Sequence, residues 1–177
     1  MKKALTIMIG VLFLTSIGSA QPQRTAATLG VIRQQYRTIN SRSPKYRQVK
    51  KDLEGYSTEG GELVAYFEGA AIVKLAAQFY GECGRAAEEY YYQDGHLIFV
   101  FRKDSYYSKC LTGKVVKVEE QRFYFNNGAL ITWINEKGKR VIAGEEFAKK
   151  EEEYLSSSRE LTVGARSPKD TIEATNN

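Results

Sequence analysis

The chain has 177 residues, of which 26 are Lys or Arg, 21 are Asp or Glu and one is His, giving a formal net charge of +5. A chain of this length is typical of one domain built around one hydrophobic core. Its two Cys and single His make a poor zinc site, and we expect neither a metal nor a cofactor.

The first twenty residues follow the pattern of a secretory signal peptide. Lys2 and Lys3 precede an apolar stretch at 4–14, and small residues lead up to Ala20. The apolar stretch is too short to cross a bilayer as a helix. We therefore expect a signal peptide at 1–20, no transmembrane segment in the mature chain, and a periplasmic or secreted bacterial protein. The alternative is an ordinary N-terminal core helix.

Charge is unevenly distributed along the rest of the chain. Removing Lys2 and Lys3 from the 26 basic residues leaves 24 basic against 21 acidic side chains. Residues 21–51 contain eight cations and no acid, whereas residues 145–160 are rich in acids. A basic segment could face an anionic partner. Alternatively, two solvated helical faces of opposite charge lie near each other in the fold.

Apolar residues recur at helical spacing in two N-terminal segments. The pattern that begins at Leu29 predicts one helix at about 24–40. A second helix is predicted at about 44–53. Ser43 and Pro44 are its start signal, because a Ser side chain caps free amides and Pro fits the first helical position.

From about residue 62 the apolar period changes to two, which is typical of strands. Asp94-Gly95 and Asn127-Gly128 predict two-residue hairpin turns, because such turns need positive φ at both central positions. The short successive connections predict an antiparallel meander. The predicted strands are 62–68, 71–80, 86–93, 96–105, 115–126 and 129–136.

A last helix is predicted at about 145–160, and residues 162–177 have too few apolar side chains to pack and are expected to form a disordered tail. Residues 21–161 then form a single α+β domain. A sheet face and a helix stripe must bury one another. We therefore expect a curved antiparallel β-meander of five or six strands, with the N- and C-terminal helices packed on one face.

Two hairpins repeat along the chain. YYYQDGHLI at 90–98 matches FYFNNGALI at 123–131 at an offset of 33 residues, and VAYFEGAAI at 64–72 is a candidate for a degenerate third copy. The pattern resembles the tyrosine-rich hairpins of small exported bacterial proteins of unknown function. It is also loosely similar to MORN-like repeats, although the spacing and copy number differ. The resemblance implies an antiparallel sheet in an exported protein and transfers no catalytic residues.

The two-residue loops assign side chains to the two faces of the sheet, placing Tyr92 opposite Leu97 and Tyr91 opposite Ile98. One face, with Phe99 among its residues, is apolar throughout and suits the helices. The second face mixes apolar and charged side chains, a combination that interface centres favour. This candidate binding face consists of Tyr91, Ile98, Val100, Arg102, Arg122, Tyr124, Ile131 and Trp133.

Two other accounts of the candidate binding face stay open. The sheet could curl until the face is buried inside a barrel or under a loop, or the face could mediate self-association, which would make the protein a homo-oligomer. The same loops pair Arg122 with Trp133 across two strands, where a cation–π contact would be stabilising.

Cys83 lies in the predicted turn between the second and third strands, and Cys110 follows the fourth strand. In an up-and-down meander these positions share one end of the sheet, and export supplies an oxidising compartment. We therefore predict a disulfide between them. Two free thiols are the alternative.

The sequence offers no catalytic residues. His96 is the single histidine and has no Ser or Cys partner that the topology would bring near. Glu88 and Glu89 point to opposite faces of a strand and cannot form a carboxylate pair. The glycines mark hairpin turns and form no phosphate-binding loop. We expect no nucleic-acid ligand, since an exported protein rarely meets one.

These observations predict an exported, non-enzymatic binding or interaction protein whose partner is a protein or an envelope polymer. A different hypothesis is a hydrolase-like enzyme of the cell envelope that uses carboxylates and tyrosines from separate strands. Such an enzyme would show a concave pocket with buried acidic groups. A third hypothesis is a structural protein that acts by self-association.

Overall fold

The computed structural model describes residues 20–175 of the chain, with side chains from Thr25 onward. The predicted signal peptide therefore lies outside the described residues, except for Ala20 at its end. Among the helices in the described part, none is long and apolar enough to cross a membrane.

The protein is α+β and consists mainly of one eight-stranded sheet. The predicted count of five or six strands is wrong, because the segments that form the first and last strands were expected to be a helix and a disordered tail. The strands follow the order β7-β6-β5-β4-β3-β2-β1-β8, with β8 parallel to β1 and all other neighbours antiparallel. The elements are α1 (Ala20–Arg42), a 3₁₀ helix (Ser43–Lys45), β1 (Arg47–Glu54), β2 (Gly61–Glu68), β3 (Ala71–Gly81), β4 (Gly84–Gln93), β5 (His96–Tyr107), β6 (Val115–Asn126), β7 (Ala129–Ile134), α2 (Glu145–Arg166) and β8 (Thr171–Glu173).

The predicted second helix at 44–53 is wrong, because the chain forms a single 3₁₀ turn and then enters β1. Side chains along β1 alternate in burial. Lys51 and Leu53 are buried, whereas Lys50 and Asp52 are exposed. The apolar spacing fitted a helix as well as a strand, and pairing with β2 decides between them.

The C-terminal residues are part of the fold, in contrast to the expected disordered tail at 162–177. Helix α2 continues to Arg166, and β8 then pairs with β1. Lys51, which is buried, donates to the main-chain carbonyls of Ser167 and Lys169. Ile172 packs into the core beside Gly164 of α2, where a Cβ would lie 2.5 Å from the Ile172 side chain. These few contacts hold a segment whose composition is mostly polar.

The two long helices lie on opposite faces of the sheet, so the prediction that both pack on one face is wrong. Ile32 and Ile39 of α1 pack in a cluster with Tyr91 of β4. Tyr154 and Leu161 of α2 pack in a separate cluster with Tyr90, the preceding residue of β4. We call the two surfaces of the sheet the α1 face and the α2 face. Each is apolar and each has its own helix.

A β-bulge explains why the face assignment failed. The turn at Asp94-Gly95 has positive φ at both residues, as predicted, and Tyr92 pairs with Leu97. Ile98 is then left without a partner, and Tyr91 pairs with Phe99. An extra residue reverses the direction of every side chain beyond it. Phe99 therefore lies on the α1 face beside Tyr91, and Val100 lies on the α2 face.

The same bulge occurs in the repeated hairpin of β6 and β7. Phe125 pairs with Leu130, Ile131 is unpartnered, and Phe123 pairs with Trp133. Trp133 consequently stacks on Phe123 on the α2 face, with ring centroids 5.4 Å apart. The predicted pairing of Arg122 with Trp133 is wrong, because Arg122 lies opposite Ile134.

The hairpin of β2 and β3 carries the bulge too. Phe67 pairs with Ile72, Val73 is skipped, and Tyr66 pairs with Lys74. In all three hairpins the extra residue is the third after the turn. The sequence repeat is therefore also a structural repeat. The degenerate copy at 64–72 keeps the β-bulge, which determines the face of the sheet on which each side chain lies.

The predicted disulfide between Cys83 and Cys110 is confirmed. The two Cα atoms are 4.0 Å apart, and the residues are separated by 27 positions in sequence. The bridge ties the turn between β3 and β4 to the loop after β5. Two main-chain hydrogen bonds support the same junction, from Tyr107 to Cys83 and from Leu111 to Glu82.

Replacing both cysteines in C83S/C110S should lower the free energy of unfolding by about 3 to 4 kcal/mol, because the bridge closes a long loop in the unfolded chain. Both residues are exposed, so no core cavity adds to the loss. Urea denaturation followed by circular dichroism measures it. Wild type in reductant should match the variant, and a variant as stable as oxidised wild type would contradict the prediction.

Trp133→Ala should lower the free energy of unfolding by about 3 to 5 kcal/mol, since the ring is 4% exposed and fills the space under α2. Circular dichroism must report the transition, because Trp133 is the only Trp. Ile142→Ala, at an exposed position of the loop before α2, is the control and should change stability little. Equal losses for both would show that Trp133 is not in the core.

Candidate functional site

The candidate binding face predicted from the sequence is divided between two covered surfaces. Tyr91, Ile98, Tyr124 and Ile131 pack on the α1 face, and Val100 and Trp133 pack on the α2 face. Arg102 also belongs to the α2 face, where its guanidinium pairs with Glu88. Two of the predicted residues, Arg122 and Tyr124, border an open groove.

The groove runs between α1 and the strands β5 and β6 and encloses about 460 Å³. It contains three arginines, four aromatic rings and one carboxylate. Its lining residues are Ile32, Arg33, Tyr36 and Arg37 from α1, Phe99 and Phe101 from β5, and Glu120, Arg122 and Tyr124 from β6.

Helical periodicity explains how α1 supplies both the apolar wall and the charged rim. Ile32, Tyr36 and Ile39 form one stripe that faces the sheet, with both isoleucines buried. Arg33 and Arg37 lie one position further round the helix and four residues apart, so they occupy one side of that stripe. Both arginines are exposed and reach the groove.

Aromatic rings form the base of the groove. The Phe99 ring centroid lies 4.9 Å from that of Tyr124 and 5.5 Å from that of Tyr36. The bulge at Ile98 creates this arrangement, because it turns Phe99 and Phe101 toward α1. The base thus offers flat apolar surfaces to a ligand.

The groove is electropositive. Arg122 donates to Glu120 at 2.7 Å and lies over the Phe101 ring, with Cζ 5.3 Å from the centroid. Arg33 lies over Tyr124 at 6.0 Å. Neither Arg33 nor Arg37 forms an ion pair with any residue in the described part of the chain, and the single carboxylate of the groove is already paired.

Elsewhere in the sheet, buried charges have partners. On the α1 face, Lys74 donates to Glu89 at 2.7 Å and to Asn40 at 3.0 Å. The Tyr91 hydroxyl donates to the same Glu89 carboxylate at 2.5 Å. Burial, and then the charge of Glu89, raise the pKa of Tyr91. The tyrosine therefore stays a neutral donor.

The α2 face carries a similar group of charges, built on Glu88 and Tyr90, which each precede Glu89 and Tyr91 by one residue. The Glu88 carboxylate, which is 8% exposed, accepts from Tyr90 at 2.5 Å and from Arg102 at 2.8 Å. Arg102 also donates twice to Asp104, at 2.8 Å each. Burial raises the pKa of Glu88, against the lowering influence of Arg102 and Tyr90.

The sequence Glu88-Glu89-Tyr90-Tyr91 thus supplies one carboxylate and one tyrosine to each face, since residues two apart share a face of a strand. Each carboxylate also meets a cation. The Glu89 group also includes Asn40 of α1 and so ties that helix to the sheet. Arg33 and Arg37 of the groove differ from both groups, because they have no carboxylate partner in the described part of the chain.

Among the described residues, no group of three or more His, Cys, Asp or Glu could hold a metal ion. His96 is exposed beside its turn. The Tyr154 hydroxyl is buried without a hydrogen-bond partner among the described residues, but it lies in the core between α2 and the sheet.

The sequence contained a partial signal of the groove. The segment at 21–51, which has no acid and includes Arg33 and Arg37, suggested an anion-binding surface as one of two alternatives. Their position above Phe99 and Phe101 depends on the bulge, which the sequence pattern did not indicate.

Comparisons with known proteins give no match to a family model, a curated protein or a solved structure. Function must therefore be argued from the groove itself.

Glu88→Gln should become progressively more stable relative to wild type as the pH rises. A carboxyl whose pKa is raised by folding binds its proton more tightly in the folded chain, so ionisation above its ordinary value of 4.5 weakens the fold. The amide cannot ionise. Urea denaturation of both chains from about pH 4 to about pH 8 measures the difference in unfolding free energy.

The exposed Glu152 supplies the control for this experiment, and E152Q should follow wild type across the range. A constant difference between E88Q and wild type would contradict the raised pKa of Glu88.

Proposed function

We propose that this chain is an exported, non-enzymatic binding protein whose groove holds a small amphipathic anion. The ligand has a carboxylate or phosphate head and a flat or apolar body. The observation that carries the proposal is the pair of arginines without carboxylate partners, Arg33 and Arg37, at the rim of a groove with an aromatic base.

The two arginines are unfavourable for the free protein. Like charges four residues apart on a helix repel and destabilise it by about 0.2 to 0.5 kcal/mol. No acid on α1 relieves this repulsion, because residues 21–51 contain none. A bound anion between the two guanidinium groups would offset the repulsion. The two arginines are therefore better accommodated in the bound protein than in the free protein.

The dimensions and surfaces of the groove suit a small molecule. Its volume of about 460 Å³ lies within the usual range of roughly 300 to 1,000 Å³ for ligand pockets. Guanidinium groups match carboxylate and phosphate geometry with two parallel hydrogen bonds. Phe99, Phe101 and Tyr124 provide the apolar contact for the rest of the ligand.

Two features of the chain support the proposed export. The predicted signal peptide would carry the chain out of the cytoplasm, and a disulfide such as Cys83–Cys110 persists in oxidising compartments. The broader partners expected from the sequence, a protein or an envelope polymer, would have to present an amphipathic anion to this groove.

The groove gives little support to the enzyme hypothesis. Its carboxylate, Glu120, is 41% exposed and paired with Arg122. The buried Glu88 lies on the α2 face, away from the groove. Acid–base chemistry would need a buried carboxyl that faces the ligand.

Calorimetric titration of the mature chain with 1-naphthoate, dodecanoate and the uncharged 1-naphthalenemethanol tests the proposal. We expect both anions to bind more tightly than the alcohol. The variant R33E/R37E should weaken anion binding by about tenfold or more, because two charge-assisted contacts become repulsive.

The matched control is K45E/K50E, which changes the net charge equally at exposed positions outside the groove. It should leave anion binding within about twofold of wild type. Equal binding of the alcohol, or equal losses in both variants, would overturn the proposed ligand class.

A further inference from the structure

The first half of β6 has an open edge. Strand β6 pairs with β5 along residues 115–124, whereas β7 covers only residues 122–126. On the side away from β5, residues 115–121 have no strand partner within the described chain. Such an edge presents unpaired N–H and C=O groups, which can pair with another chain.

Exposed apolar side chains concentrate beside this edge. Val115, Val116 and Val118 are 43%, 65% and 48% exposed. Tyr106 and Leu111, from the neighbouring strand end and loop, are exposed as well. These five are the majority of the eight large exposed hydrophobic residues in the described part of the chain. Such a patch is typical of an interaction surface.

The free edges of β7 and β1 are protected in ways that this edge is not. The end of β7 is covered by the following loop, through a bridge between Ile134 and Arg140 and a hydrogen bond from Val141 to Trp133. The part of β1 that β8 leaves free carries the cations Arg47 and Lys50, which would repel a second copy.

The sequence of the open edge is complementary to itself. If two β6 strands pair antiparallel with Val118 at the centre, Lys117 of each copy lies opposite Glu119 of the other. Opposite charges across a strand pair are stabilising. Centring the pair one residue to either side would instead oppose two copies of Lys117 or two copies of Glu119. The charges therefore select one register.

We infer that two copies of this chain pair through residues 115–121 of β6, antiparallel about Val118, and form a dimer with one continuous sheet across both subunits. The two-fold axis passes through the sheet at Val118, so both α1 helices lie on the same side. The valines beside the edge are buried in the dimer. This inference does not depend on the groove binding a ligand.

Sedimentation velocity of the mature, disulfide-bonded chain tests the dimer. Wild type should sediment as a dimer, and the control K103E, an exposed charge reversal on β5, should do the same. K117E and E119K should each sediment as monomers with unchanged circular dichroism, because each opposes like charges at two places in the interface.

Mixing K117E with E119K should restore a dimer, since every facing pair in the mixed species has opposite charges. This result separates the interface from the ion pair that Lys117 and Glu119 form within one chain at 2.7 Å, because mixing cannot restore that pair. A wild type that stays monomeric at its highest soluble concentration would overturn the inference. So would single variants that remain dimers.

Oxidative cross-linking tests the register. V118C should form a disulfide-linked dimer, because directly opposite Cα atoms lie about 4.5 to 5.5 Å apart and a disulfide spans that distance. V116C should not, because it faces Glu120 of the partner chain. Cross-linking of V116C in place of V118C would overturn the proposed centre.

Discussion

The repeated β-bulge is the constraint on which the rest of the structure depends. Each of the three hairpins inserts one residue, Val73, Ile98 or Ile131, at the third position after its turn. Side chains on the two sides of the insertion follow opposite alternation. A run such as LIFVF then supplies large apolar groups to both faces of the sheet. Neither face can meet water over its full area, so each requires a helix.

The tyrosine and glutamate pairs in β4 follow from the same two-sided burial. A strand covered on both faces has no solvated side for its charges, and burying a carboxylate requires a cation and further donors. Glu88 obtains Arg102 and Tyr90 on the α2 face, while Glu89 obtains Lys74 and Tyr91 on the α1 face. Asn40 joins the second group from α1. The second group therefore ties α1 to the sheet, whereas the first group lies within β4 and β5.

Local features of the sequence predicted much of the fold, and features that depend on distant contacts escaped it. Asp94-Gly95 sets its turn through backbone conformation alone, and the disulfide followed from strand order. The bulge requires no particular residue type and therefore leaves no signal in the sequence. Strict alternation of side chains, counted from the turn, consequently assigned Phe99 and Trp133 to the wrong faces of the sheet. Likewise β1 and β8 are strands because of their partners. The groove could not be located without the bulge, although the acid-free α1 indicated its charge.

The proposed binding surfaces lie where the coverage of the sheet ends. Helix α1 buries Ile32 and Ile39, but the adjacent Arg33 and Arg37 cannot be buried without partners, so the helix leaves a gap over Phe99 and Phe101. Strand β6 has 12 residues and β7 has 6, so residues 115–121 of β6 lack a strand neighbour in the described chain on the side away from β5. With both faces occupied by helices, the sheet can gain further contacts only at such a gap or such an edge. The groove has the volume of a small-molecule site, and the edge offers unpaired main-chain groups to another strand. The two proposed surfaces therefore suit different partners and can be tested independently.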